Sequence, residues 1–196
     1  MTALPASAPG SAGQRAVLLS VGLGAAALAR AALNGTGATS AYLAGTGFGA
    51  ALLCVAFAEG WRPGRPRLAS VGLGVLGGLI LVGLPLLAGP STRPVTGLRP
   101  EPFVAWLVVT ALVVMAEEVL LRGALLPALD EAAGPIVAVV ASSAAFALMH
   151  VPLYGWGVVP TDLAAGVWLA GLRYLSGGAA APTLAHLLAD LATWWL

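Results

Sequence analysis

The run PFVAWLVVTALVVMAEEVLLRGALLPA, residues 102–128, is 27 residues long and holds three charges, Glu117, Glu118 and Arg122. About 20 mainly apolar residues suffice for a helix to cross the hydrocarbon core of a bilayer, so this run is long enough to span one. Its apolar residues are continuous rather than alternating, which argues against a strand of a transmembrane barrel. Each charge at mid-bilayer then costs about 2.5–3.5 kcal/mol even on a lenient insertion scale. A membrane helix that keeps three of them has a use for them.

The rest of the chain has the same character. Further apolar segments occur near 16–33, 40–58, 68–89, 134–150, 158–175 and 179–196. Of 196 residues, 59% are hydrophobic and 9% charged, and the mean hydropathy is +0.94. Soluble domains carry nearer to about 25% charged residues. A soluble enzyme and a disordered chain are thereby excluded. So is nucleic-acid binding, because a net charge of +1 with dispersed arginines makes no basic stripe. The expected fold is an all-α, polytopic transmembrane bundle of about seven helices embedded in membrane lipid.

Composition divides the chain further. Residues 1–15, rich in Ala, Ser, Pro and Gly, read as a disordered tail. Residues 16–99 read as peripheral transmembrane helices without a motif, and 100–196 as the bundle that carries the polar residues. Gly72, Gly74, Gly77, Gly78 and Gly83 allow helices to approach closely. Cys54 is the one cysteine, so no intrachain disulfide forms. Arg62, Arg65 and Arg67 mark the 59–67 connector as cytoplasmic, which places the N-terminus and the 173–178 connector on the same side. Arg93 and Arg99 then fall outside, against the rule. Trp106, Trp156, Trp194 and Trp195 lie near segment ends, as interfacial belts do. An all-arginine basic set among Ala and Gly points to a bacterial source, hence to the inner membrane.

Thirteen of the seventeen charges are assigned to connectors and helix ends, leaving Glu117, Glu118, Arg122 and Asp190 inside segments. His150 and His186 accompany them. Glu118 and Arg122 stand at i and i+4 and share a helix face, so they can pair. Glu117 is turned about 100° from Glu118 and is left without a built-in partner. Phe146 and His150 repeat the i, i+4 spacing, as do His186 and Asp190. A hairpin turn at Asp130–Ala133 puts Glu117 about 21 Å and His150 about 27 Å from it along their helices, within about 6 Å of one level. Ser142, Ser143 and Thr183 read as packing groups rather than nucleophiles.

Taken in order, Glu117-Glu118-x-x-x-Arg122, Phe146-x-x-x-His150 and His186-x-x-x-Asp190 resemble the motifs of the CPBP family of intramembrane proteases. That family is similar to the type II CAAX prenyl endopeptidases and includes bacteriocin-processing and Abi-type immunity proteins. The resemblance covers about 100–196. It implies catalytic roles for Glu117, His150, His186 and Asp190: Glu117 with His150 activates a water, and His186 with Asp190 stabilises the oxyanion. Glu118, Arg122 and Phe146 support them. Where many members carry Asn, this chain has Asp190, which donates a hydrogen bond only when protonated, so orienting His186 is its safer role. No cofactor is expected, and the substrate is a membrane-associated peptide or protein. Prenylated substrates do not suit a bacterium; leader peptides, bacteriocin precursors or membrane-protein tails do.

Other readings use the same residues. Glu117, His150 and His186 could ligate zinc across helices in a metalloprotease, although no HExxH is present. A non-catalytic immunity or scaffold protein could keep the fold. A proton-relay transporter lacks the pair of broken half-helices such proteins use.

Overall fold

The computed structural model describes residues 10–35, 37–87 and 102–195, and among these there is no strand. The helices are α1 (Ala12–Leu33), α2 (Ala38–Ala58), α3 (Leu68–Leu87), α4 (Phe103–Glu118), α5 (Leu126–Ala133), α6 (Pro135–Tyr154), α7 (Val159–Ser176) and α8 (Ala180–Ala192). A π-helical segment, Val119–Leu125, joins α4 to α5 without a break, and a 3-10 turn, Trp156–Val158, precedes α7. Counted as continuous rods, the described residues form seven helices, in agreement with the hydropathy reading.

Four of the rods are long and apolar enough to cross a membrane: Ala12–Leu33, Thr39–Ala58, Phe103–Ala133 and Pro135–Tyr154. The protein is membrane-embedded. Apolar residues such as Val21, Leu68, Ile136 and Val140 point outward, where only lipid makes their exposure tolerable. α3 is apolar over the shorter stretch Leu68–Gly83. Polar residues interrupt α7 and α8, and α8, at 13 residues, is about 20 Å long and shorter than the hydrocarbon core.

Two boundaries differ from expectation. The first helix begins at Ala12, inside the stretch assigned to a tail; residues 1–9 lie outside the described residues. Its start is a capping box: Gln14 N–H donates to Ser11 Oγ at 3.3 Å, and Ser11 N–H to Gln14 Oε1 at 2.9 Å. The hairpin turns at Gly134 (φ 84°), not over Asp130–Ala133, which stay helical. Glu117 therefore lies 17 residues before the hinge and His150 16 after it, and the offset in level nearly vanishes. Arg93 and Arg99, the arginines that run against the topology rule, lie outside the described residues.

The π segment follows from Pro127. In an α-helix its ring would collide with the carbonyl of Gly123, four residues earlier, and its missing N–H would leave that carbonyl unpaired. The helix widens instead: Leu126 N–H bonds to Leu121 O, five residues back. That shift frees the carbonyl of Arg122, whose own five-back donor would be Pro127, which has no N–H. Arg173 of α7 supplies the missing donor, its Nε lying 2.9 Å from Arg122 O. Arg173, read from sequence as a topology marker, thus secures the widened turn.

The core runs through the middle of the bundle. Leu19 and Leu23 of α1, Leu52 of α2, Leu120, Leu121 and Leu125 of the π segment and Leu169 of α7 are all buried. α3 lies along α8, and its glycines make that possible: a Cβ on Gly74 would come within 2.8 Å of Ala181 O, and one on Gly78 within 2.8 Å of Leu188 Cβ. Trp168 ties α7 to the same helix by donating from Nε1 to Gly77 O at 3.1 Å.

Candidate active site

The polar residues of α4, α6 and α8 meet inside the bundle. Glu118 and Arg122 are fully buried, and Arg122 Nη1 donates to Glu118 Oε1 at 2.7 Å. The α-helical spacing that pairs them survives the start of the π turn. Arg122 also donates from Nη2 to Gly166 O of α7 at 3.2 Å, and its guanidinium stacks 4.8 Å from the centre of the Phe146 ring. His186 reaches across from α8, its Nδ1 2.9 Å from the same Glu118 Oε1. One carboxylate oxygen thus joins α4, the π segment and α8.

Glu117, also buried, turns the other way. His150 Nε2 lies 3.9 Å from its Oε1, and Arg30 Nη1 lies 3.7 Å from the same atom. Neither contact is a hydrogen bond, and Glu117 Oε1 has no hydrogen-bond partner among the described residues. The side of the site facing Glu117 is loosely engaged, whereas the Glu118 side is tightly bonded.

Phe146 stands between the two histidines. Its ring is edge-on to His150 (5.0 Å, 90°) and to His186 (5.3 Å, 81°). Tyr154, one turn beyond His150, lies 5.8 Å from the imidazole. Asp190 sits 3.6 Å from His186 Nε2 and is 44% exposed. The structure therefore places Glu118, not Asp190, at Nδ1 of His186, while Asp190 lies beside Nε2.

Two residues that sequence reasoning passed over belong to this constellation. Arg30 comes from α1, within the stretch read as peripheral and without a motif, and its guanidinium also lies 4.8 Å from the centre of the Phe48 ring of α2. Asp162, in the first turn of α7, brings Oδ2 to 3.1 Å from His150 Nδ1. A signal for Asp162 was present, since it falls within the 158–175 apolar segment, although it was counted with the helix-end charges. Arg30 had none, because a basic residue in the last turn of a helix is ordinary.

The placement of Asp162 rests on a close helix contact. At Gly166 a Cβ would come within 2.9 Å of Ser143 Cα, so α7 can lie against α6 there only without a side chain. Ser142 and Ser143 are both buried, and Ser143 is the residue that Gly166 meets. Thr183 donates from its hydroxyl to Ala179 O within the α8 turn at 2.7 Å, again a packing role. Among the described residues, no three His, Cys, Asp or Glu side chains are gathered as a metal ion would need.

Residues 99–192 match the family model described as type II CAAX prenyl endopeptidase Rce1-like. The match takes in every residue of the three motifs. No curated protein and no solved structure matches the chain.

Proposed function

We propose that the protein, whose residues 99–192 are of the Rce1-like type, is an intramembrane endopeptidase that hydrolyses a peptide bond with water activated by Glu117. The observation that carries this reading is the unequal engagement of two adjacent carboxylates. Glu118 Oε1 is bonded to Arg122 and His186, whereas Glu117 Oε1 is buried and free of hydrogen bonds among the described residues. A carboxylate that takes a proton in the transition state works best when no other bond must break first. The 3.9 Å separation of Glu117 Oε1 and His150 Nε2 suits two groups that share a water.

In this mechanism Glu117 accepts a proton from the water as the water oxygen bonds to the scissile carbonyl carbon, with His150 orienting that water. The carbonyl oxygen becomes an oxyanion. His186, with Glu118 at one nitrogen and Asp190 near the other, is set to donate from both, and Nε2 serves the oxyanion. The proton on Glu117 passes to the amide nitrogen as the C–N bond breaks, leaving a carboxylic acid and an amine. Glu118 and Arg122 hold the frame, and Phe146 keeps the two imidazoles apart. This mechanism assigns no step to a metal; Glu117, His150 and His186, the zinc-ligand set of the metalloprotease alternative, are not gathered into a three-ligand cluster among the described residues.

The substrate class is a membrane-associated peptide or protein, such as a leader peptide or bacteriocin precursor, cleaved at the bacterial inner membrane. The test uses the purified protein in proteoliposomes with a panel of membrane-tethered peptides. Cleavage is expected to be lost in Glu117→Gln and His150→Ala and to persist with a strong chelator. Loss on chelation with recovery on adding Zn²⁺ would replace the glutamate mechanism by the metalloprotease one. Full biological effect in both variants would leave a non-catalytic immunity or scaffold protein.

A further inference from the structure

We infer that Asp162 is the positioning residue that decides which nitrogen of His150 faces Glu117. The inference rests on the proposed hydrolytic role of Glu117 and His150. Asp162 Oδ2 lies 3.1 Å from His150 Nδ1, and the opposite nitrogen, Nε2, lies 3.9 Å from Glu117 Oε1. Both members of the pair are largely buried, the ring at 15% and the carboxylate at 19% exposed. No hydrogen bond is made at Nδ1, so the contact works through the negative charge of the carboxylate.

The other neighbours of the ring cannot make this choice. Phe146 and Tyr154, one turn to either side on α6, confine the ring by apolar contact. Contact of that kind is nearly indifferent to a flip that exchanges the two edges of an imidazole. A carboxylate on one edge is not: it favours the tautomer with the proton on Nδ1 and leaves Nε2 as the working nitrogen. The second histidine is anchored at the same atom, although a second acid, Asp190, stands at its Nε2 and lets it carry a proton on both nitrogens. His186 also has a carboxylate from another helix at Nδ1, that of Glu118 at 2.9 Å. Two imidazoles, fixed at the same atom by acids from different helices, describe one design used twice.

Asp162 also occupies the first turn of α7, where an acid stabilises a helix through its dipole alone, and the experiment must separate the two roles. The chain has two histidines, so ¹⁵N-histidine labelling of the full-length protein in micelles yields a readable spectrum, assigned with His150→Gln. Asn keeps the shape of Asp but can turn its amide NH₂ toward Nδ1 and favour the opposite tautomer. In Asp162→Asn, kcat is expected to fall about 10- to 100-fold with KM nearly unchanged, as for loss of a residue that orients a catalytic ligand. The His150 nitrogens are expected to shift while those of His186 stay, and Asp162→Glu should restore part of kcat.

An unshifted His150 spectrum overturns the inference, whether or not the melting temperature falls, because a helix-end role leaves the ring alone. Wild-type kcat in Asp162→Asn, with cleavage abolished in Glu117→Gln, overturns it while the hydrolytic reading stands. If Glu117→Gln cleaves as well as wild type, the hydrolytic reading falls, and the nitrogen shifts alone decide whether Asp162 sets the ring.

Discussion

Glu117 and Glu118 are neighbours in sequence, yet they inhabit two different regions of one buried site. On the Glu118 side, contacts of 2.7 and 2.9 Å bind Arg122 and His186 to one oxygen. On the Glu117 side, Arg30 and His150 stand off at 3.7 and 3.9 Å. The two side chains leave the helix about 100° apart, and that turn is enough to send one into a closed ion-pair network and the other toward His150 of α6 and Arg30 of α1. A single helix can therefore carry a structural acid and a chemical acid side by side. The first is kept by its bonds and the second is kept free of them.

The largest effect expected from breaking this contrast comes from Glu117→Gln. It should slow peptide cleavage by about 10³-fold, roughly 4 kcal/mol of barrier, with the melting temperature in detergent unchanged. A melting temperature that falls with it would mean that Glu117 is structural after all. Arg122→Met should do the reverse, leaving Glu118 as an uncompensated buried charge at a cost of about 3–5 kcal/mol of stability. Equilibrium unfolding in mixed micelles measures it, and a stable, well-folded Arg122→Met would dissolve the distinction between the two sides. Gly166→Ala forces a methyl against Ser143 Cα, with an expected cost of about 1–3 kcal/mol. It should also lower kcat, since α7 carries both the carbonyl that accepts from Arg122 and Asp162.

The smallest effect belongs to Arg30→Met. It removes a cation from beside Glu117 and from over Phe48, an arrangement worth about 0.5–1 kcal/mol at partly exposed sites. Stability should move by no more than that, and cleavage only a few-fold. A loss as deep as that of Glu117→Gln would move Arg30 from the rim of the site into its chemistry.

The three motif pairs were legible in the sequence because the chain has so little other charge inside its apolar segments. Glu118–Arg122 pairs at i, i+4, and Phe146–His150 and His186–Asp190 keep that spacing in α6 and α8, since each relation lies within one helix. What was not legible crosses between helices. Arg30 reaches Glu117 from a helix with no motif, and Asp162 reaches His150 across a hairpin that turns through Gly155 (φ 77°). Asp190 keeps its helical register with His186 but lies at Nε2, because Glu118 already occupies the Nδ1 side. The hairpin between α5 and α6 was placed too early, since Asp130 and Glu131 look like loop residues. They are instead the polar end of a helix, and Glu131 there pairs with Arg15 of α1.

Hydropathy and helical period are local properties, so an all-helical membrane chain, seven rods and three polar pairs could be read before any coordinates. The division of labour between Glu117 and Glu118 was half visible, as a difference of helix face. Which histidine each acid meets, which nitrogen it meets and how far away were settled only by packing. Those relations depend on where rigid helices touch: at Gly74 and Gly78 against α8, at Gly166 against Ser143, and at a π turn opened by Pro127 and secured by Arg173. Local sequence sets a side chain's angle on its own helix. The distance to a partner on another helix is set by contacts far from both.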